Sequence, residues 1–383
     1  MELSAAKTAM LTGGILVLPV LAFVTSFLFW PGVLLKGYNW FWRRRLGLQV
    51  RFSHSGSYRF CYSSRGSVGT EPTLLLLHGF SASKDMWLPV AKVTSHSHQF
   101  FLVLVLVLVL VLNPWFPQFL PRNRHLVCVD MPGHEGTSRT GAEDYSILGQ
   151  VARIHQFVRS IGLDRTPFHL VGTSMGGNVA GVYAACHPAD LSGVTLVCPA
   201  GLVYPADSRF ITLLRELEQS GADQNLDQNL DQNIPLIPST PQALDDMLAL
   251  CCHTPPKLPR QVLRGLLDNR IPNNGFYKEL FLQIVGPDSR NSLQDHLPLI
   301  SSPLQVVWGR EDQVLDVSGA AVIKAALPQA RVELLDDCGH SVALERPRKL
   351  AKLLQDFLSP QEPGDRNFLS SQEPGDADAK KVS

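Results

Sequence analysis

The chain has 383 residues, with 34 basic and 34 acidic side chains and hence a formal net charge of zero. That balance argues against a nucleic-acid surface, which needs a basic face, and the length suits one large α/β domain with an insertion, or two domains. Seven cysteines (Cys61, Cys128, Cys186, Cys198, Cys251, Cys252 and Cys338) have no C-x-x-C spacing, which argues against a zinc site and for free thiols in a reducing, cytosol-facing compartment.

Ala9–Trp30 is uncharged and apolar over about 22 positions, long enough to cross a hydrocarbon layer about 30 Å thick. A cleaved signal peptide is the rival reading, but the run is long for one and no A-x-A site follows it. We therefore expect an N-terminal transmembrane helix, spanning about 9–30, with Trp30, Tyr38, Trp40 and Trp42 as interfacial anchors. Lys36, Arg43, Arg44, Arg45 and Arg51 follow the run, against Lys7 before it. This asymmetry puts the remainder of the chain on the cytosolic side. Residues 1–48 thus form an anchor and juxtamembrane segment.

From residue 49 the pattern changes to strands and helices. Gln49–Arg65 reads as a hairpin of two alternating strands. Thr73–Leu77 (TLLLL) is a continuous apolar run, the mark of a buried parallel strand, and it ends in His78-Gly79-Phe80. Lys84–Lys92 is a short helix. Residues 93–118 then break the pattern. Phe100–Leu112 is an unrelieved Val/Leu run of about 13 residues, short for a spanning helix and without a polar face. Joining Lys92 to Phe119 leaves a connection of ordinary length, so this segment reads as foreign to the fold, as a splice or gene-model feature or a membrane-dipping loop. His125–Asp130 is the next strand. Ser146–Ile161 follows as an amphipathic helix, with Ile147, Val151, Ile154, Phe157, Val158 and Ile161 on one side.

Phe168–Gly177 (FHLVGTSMGG) carries the chemistry. A short apolar strand enters Gly172-Thr173-Ser174-Met175-Gly176, and a helix follows over Asn178–Cys186. G-x-S-x-G between a strand and a helix is a nucleophile elbow. Its glycines permit a turn too tight for side chains, and the Met175 N–H at the helix start can stabilise developing negative charge. Val194–Val197 is another strand. Residues 202–302 lose the strand–helix alternation. Helical patterns occur at Arg209–Gln219, Gln242–Cys252, Pro259–Leu267 and Asn274–Val285, with a polar repeat, Asp223–Asn233, that reads as a solvated loop. The region reads as a helical cap inserted after the sixth strand of the sheet. The sheet resumes at Leu304–Trp308, followed by a helix over Ser318–Ala326, a last strand at Val332–Leu335 and a closing helix at Glu345–Phe357. The core accordingly divides into residues 49–201 and 303–358, and the polar, Pro-rich tail 359–383 reads as disordered.

Three residues now stand in order, each just past a parallel strand: Ser174, Asp312 and His340. A serine hydroxyl is inert until a base takes its proton. A histidine can take it and later return it to the leaving group, and a carboxylate holds the histidine in the right tautomer. Such chemistry calls for no metal and no organic cofactor. His134 also follows a strand, but no triad of this kind draws its base from that position. His78 reads as a buried structural histidine.

The motifs GTSMGG, His78-Gly79-Phe80, Asp130-Met-Pro-Gly-His, Trp308-Gly-x-x-Asp312 and Cys338-Gly-His340 resemble those of the α/β-hydrolase superfamily, and within it the membrane-anchored monoacylglycerol lipases, over nearly the whole chain. The resemblance implies the α/β-hydrolase fold, a mostly parallel sheet with helices on both faces. It implies Ser174 as nucleophile, His340 as general base and acid, and Asp312 as the acid that orients it, with the backbone N–H groups of Phe80 and Met175 as the oxyanion hole. It further implies a serine hydrolase of monoacylglycerols, 2-arachidonoylglycerol among them, and of lysophospholipids and bis(monoacylglycero)phosphate. The implied location is late endosomal, lysosomal, mitochondrial and plasma membranes, and the implied partners are the bilayer and glutamate receptors. Ser174 argues against the dehalogenases and epoxide hydrolases of the same fold, which use an aspartate. A thioesterase, an acyltransferase or a membrane-tethered interaction protein are the alternatives.

Overall fold

The computed structural model describes residues 18, 20–91, 120, 124–141, 143–220 and 234–359. Residues 9–17 and 19 of the expected span, the Val/Leu segment 93–118, the Asp223–Asn233 repeat and all but the first residue of the tail 359–383 lie outside the described residues.

Two helices lead in, α1 (Val20–Phe29) and α2 (Pro31–Arg45), bent by 119° at the break between them. Proline in the first turn of α2 has no N–H to donate backwards, so α1 cannot continue through it. Among the described residues no single helix is long and apolar enough to cross a membrane, while this bent pair meets the length and composition together. Trp42 and the following Leu46 are buried in the main core, whereas Trp30, Val33 and Trp40 are exposed.

Eight strands form one sheet in the order β1-β2-β4-β3-β5-β6-β7-β8. They are β1 (Gln49–Ser55), β2 (Tyr58–Arg65), β3 (Leu74–Leu77), β4 (Leu126–Val129), β5 (Phe168–Thr173), β6 (Leu191–Val197), β7 (Leu304–Gly309) and β8 (Arg331–Leu335). Only β2 runs against its neighbours; every pair from β4 to β8 is parallel. Every residue of β3, β4, β5 and β7 is buried. Both faces of the sheet are therefore covered, which is why four consecutive leucines suit β3 where alternation would not.

The crossovers are helical: α3 (Leu88–Ala91), α4 (Ile147–Ser160) and α5 (Met175–Cys186) precede β6. Ser146 caps α4, its hydroxyl accepting from the Gly149 N–H at 3.1 Å, and Ile147, Val151, Ile154, Phe157 and Val158 are buried beneath it. Between β6 and β7 the chain builds α6 (Arg209–Ser220), α7 (Pro241–Cys251), α8 (Arg260–Arg270), α9 (Asn274–Val285) and α10 (Ser292–His296). After β7 come α11 (Ser318–Ala326), α12 (Val342–Glu345) and α13 (Pro347–Leu358). α2 sits directly on α8: a Cβ on Gly265 would lie 2.7 Å from the Pro31 carbonyl carbon, and the Asn269 side-chain amide donates to the Gly32 carbonyl at 3.3 Å.

Several expected boundaries move: β6 begins at Leu191 rather than Val194, and the helix expected over Pro259–Leu267 runs over Arg260–Arg270. The helix after the elbow starts at Met175 rather than Asn178, immediately behind Ser174. The closing helix starts at Pro347 rather than Glu345. Pro347 pushes Arg346 out of the helical region, to φ −126° and ψ 46°, so Glu345 ends a separate turn.

Candidate active site

Because β3, β5, β7 and β8 are parallel, the loops after them gather at one edge of the sheet, where open α/β sheets place ligands. Ser174 stands between β5 and α5 with φ 56° and ψ −121°. A non-glycine residue keeps such a conformation only where its surroundings hold it. Here they do: the Ser174 N–H donates to Val197, and its carbonyl accepts from Gly177, Asn178 and Ala200 at 2.9–3.0 Å. The glycines on either side leave no alternative, since a Cβ on Gly172 would lie 2.0 Å from the Gly176 carbonyl oxygen and one on Gly176 2.4 Å from that of His78.

Asp312 and His340 meet although 28 residues separate them. His340 Nδ1–H donates to Asp312 Oδ2 at 2.8 Å. This leaves Nε2 as the nitrogen free to take a proton. The Asp312 side chain is fully buried, and each of its oxygens accepts two hydrogen bonds. Oδ2 takes the His340 imidazole and the Trp308 indole N–H (3.1 Å), while Oδ1 takes the backbone N–H groups of Val314 (2.8 Å) and Leu315 (2.9 Å). Such saturation satisfies both oxygens of the buried carboxylate and fixes its orientation.

Cys198 completes this corner. Its Sγ, an Asp312 oxygen and a His340 ring nitrogen all lie within 4.8 Å of one another. Burial, with the charge of Asp312, pushes the thiol well above its usual range. A protonated thiol suits an S–H group facing the carboxylate.

The loop after β3 lies against Ser174, for a Cβ on Gly79 would approach the Ser174 Cβ to 3.1 Å. Two groups shape this loop. The Met131 N–H donates to His78 Nε2 at 2.9 Å, so the proton sits on Nδ1 and is donated to the Gly79 carbonyl at 2.8 Å. Complete burial lowers His78 to about 4, keeping it neutral. His134 packs edge-on against His78 at 4.8 Å and is lowered to about 3 by burial and by His78, so it is a core histidine. Beneath the loop, Lys84 and the fully buried Asp130 form an ion pair at 2.7 Å. Removing one partner of such a pair costs about 3–5 kcal/mol.

Phe80 turns its ring toward α9, 5.9 Å from Tyr277 and 5.7 Å from Phe281. An apolar cluster of Phe210, Ile234, Leu250, Phe281 and Val314 continues from there and is packed against Phe80 and Leu315. The helical segment thus lays an apolar surface beside the residue after Gly79 and the residues after Asp312.

Sequence reasoning assigned no role to Trp308, Cys198 or Glu345. Trp308 carried a signal, standing four residues before Asp312 at a strand end. Glu345 carried none: its carboxylate accepts from the Gly339 N–H at 2.7 Å and the Thr254 N–H at 3.0 Å, and Thr254 is 91 residues away.

Comparison with known proteins fits this geometry. Residues 72–347 match the family described as alpha/beta hydrolase fold. The chain is 53% identical to monoacylglycerol lipase abhd6-A of Xenopus laevis and 51% identical to monoacylglycerol lipase ABHD6 of Homo sapiens, in each case over 96% of this chain and 99% of the relative. Its fold is similar to that of a crystal structure of a membrane phospholipase A described as a bacterial virulence factor, with a TM-score of 0.69 and 29% identity, covering 92% of this chain and 98% of that one. The chain belongs to the α/β-hydrolase family. Within that family it is a lipase, a carboxylic ester hydrolase.

Proposed function

We propose that this chain is a membrane-anchored serine hydrolase that cleaves monoacylglycerols, 2-arachidonoylglycerol among them, to fatty acid and glycerol, and that it also takes lysophospholipids and bis(monoacylglycero)phosphate. The observation that carries the mechanism is the 2.8 Å bond from His340 to the buried Asp312, at the same sheet edge as the strained Ser174. The monoacylglycerol lipases to which the chain is similar suggest the substrate class.

In this reading Ser174 Oγ attacks the ester carbonyl while its proton passes to His340 Nε2. The Phe80 and Met175 N–H groups take the oxyanion. The C–O bond to glycerol then breaks, and the alkoxide leaves with the proton from His340. Water, deprotonated by the same imidazole, hydrolyses the acyl-enzyme to fatty acid and free serine. Asp312 holds the tautomer and stabilises the imidazolium throughout. The helices of residues 202–302 act as a cap, and the cluster around Phe80, Phe281 and Val314 receives the acyl chain. The substrate partitions into bilayers, which suits a chain whose exposed Phe29, Trp30, Val33 and Trp40 border basic Arg44 and Arg45. We place the anchor in internal and plasma membranes with the catalytic part facing the cytosol.

A fluorophosphonate probe tests the reading. The chain should be labelled and should release glycerol from monoacylglycerol, and Ser174→Ala should abolish both, with a rate loss of at least about 10³-fold. Labelling that survives Ser174→Ala sinks the assignment. Proteolysis of sealed vesicles checks the sidedness, since a cytosol-facing domain is digested without detergent.

A further inference from the structure

Arg270 ends α8, with most of its guanidinium buried inside the protein. Among the described residues no carboxylate forms an ion pair with it. Its fork instead closes on oxygens of two chain segments. Nη1 donates to the Ser81 carbonyl at 3.2 Å, and Nη2 donates to the Ser81 hydroxyl at 2.7 Å and to the Leu236 carbonyl at 3.2 Å. The Met247 sulfur lies 3.8 Å from Nη2, and Nε is buried without a partner. Leu236 and Met247 belong to the cap, whereas Ser81 belongs to the core loop that begins at Gly79. Burying a cation without an anion is unfavourable by several kcal/mol. A neutral side chain of similar length would avoid that cost, so the position serves something other than packing.

Ser81 indicates what that is. It has φ 54°, an uncommon conformation for serine that has to be held in place. It directly follows Phe80, whose N–H we assign to the oxyanion hole. Two clamps hold this loop from opposite ends: His78 Nδ1–H on the Gly79 carbonyl, and Arg270 on both the carbonyl and the hydroxyl of Ser81. One clamp comes from the sheet and the other from the cap. An oxyanion donor acts only if its hydrogen points where negative charge will develop, and a displacement of about 1 Å can cost about 10²-fold in rate.

We propose that Arg270 is a positioning residue which fixes the Phe80 N–H through Ser81, so that the oxyanion hole is complete only while the cap is seated on the loop. The proposal rests on the serine-hydrolase reading above. Its ligand is the chain itself, and its effect falls on the transition state rather than on substrate binding.

The test uses the full-length chain and a short-chain p-nitrophenyl ester, with a reversible boronic acid as a mimic of the tetrahedral intermediate. Arg270→Met should lower kcat about 10- to 100-fold, change KM less than about threefold and weaken boronate inhibition by the same factor as kcat. Arg270→Lys, which keeps the charge but cannot reach both Ser81 oxygens, should recover only part. If Arg270→Met does not fold, Ser81→Ala decides: it removes the hydroxyl acceptor alone and should lower kcat and boronate affinity together, by about 3- to 10-fold. Unchanged kcat and boronate affinity in the folded variant overturn the proposal, as does a loss confined to KM or to thermal stability. Fluorophosphonate labelling of the unsubstituted chain at Ser174 tests the underlying reading separately: if it is absent, both fail, and if it is present, a negative result falls on Arg270 alone.

Discussion

Trp308 donates its indole hydrogen to Oδ2 of Asp312 at 3.1 Å, the same oxygen that receives the His340 imidazole. The indole also reaches the Leu315 carbonyl at 3.2 Å, which spans the turn between the end of β7 and the carboxylate. A tryptophan at a strand end usually reads as core volume. Here it also orients Asp312, which in turn holds the His340 imidazole. Trp308→Phe keeps an aromatic ring, smaller than the indole, and removes the N–H. Hydrogen bonds to charged groups contribute about 1.5–3 kcal/mol. We expect kcat/KM to fall roughly 5- to 50-fold, with the loss in kcat and a thermal midpoint lower by only a few degrees. An unchanged kcat in a folded variant would show that Asp312 needs no indole.

Glu345 joins the His340 loop to the helical segment between β6 and β7. One of its oxygens accepts from Gly339, next to His340, and the other from Thr254, just past α7. The Ser341 N–H reinforces the link by donating to the Cys251 carbonyl at 2.9 Å. Glu345→Gln leaves one acceptor and sets an NH₂ group against an N–H. The predicted result is a kcat about tenfold lower, with faster amide exchange in residues 338–341 and in 251–254. Exchange that changes in only one of the two segments would mean that the carboxylate supports that segment and does not couple the pair.

His78, His134 and His169 are fully buried, and burial holds them at about 4, about 3 and about 3. An unfolded histidine titrates near 6.5. Between these values the unfolded chain binds protons that the fold does not, so stability is complete above about pH 6.5 and is lost as the pH falls toward the folded values. By pH 5 the loss is on the order of 2 kcal/mol per histidine. The thermal midpoint should therefore drop between pH 7 and pH 5, and His134→Phe, which removes one titrating ring, should make that drop shallower. A midpoint flat over this range in both proteins would contradict the assignment of these rings as neutral core histidines.

Much of this architecture could be read from the chain because local physics writes it there. Leu74–Leu77 and Leu126–Val129 are apolar throughout, which only a strand buried on both faces tolerates. The Ser146–Ile161 stripe has helical period, and its face is the one that is buried. Where chain chemistry is local but subtle, boundaries slipped: Met175 begins a helix three residues earlier than expected, and Pro347 splits the closing helix. Neither the Val/Leu segment nor the Asp223–Asn233 repeat falls within the described residues.

The sequence by itself determined the order Ser174, Asp312, His340, the glycines that make the elbow possible and the strands that deliver each residue to one edge. These follow from period, volume and turn chemistry, all of which act over a few residues. Only the tertiary structure decided which groups serve those three. Trp308 saturates Asp312, Glu345 joins the His340 loop to the segment between β6 and β7, and Arg270 grips Ser81 from 189 positions away. A polar side chain carries no local mark of its partner. Desolvation selects that partner, because a buried donor must find an acceptor wherever the folded chain has placed one.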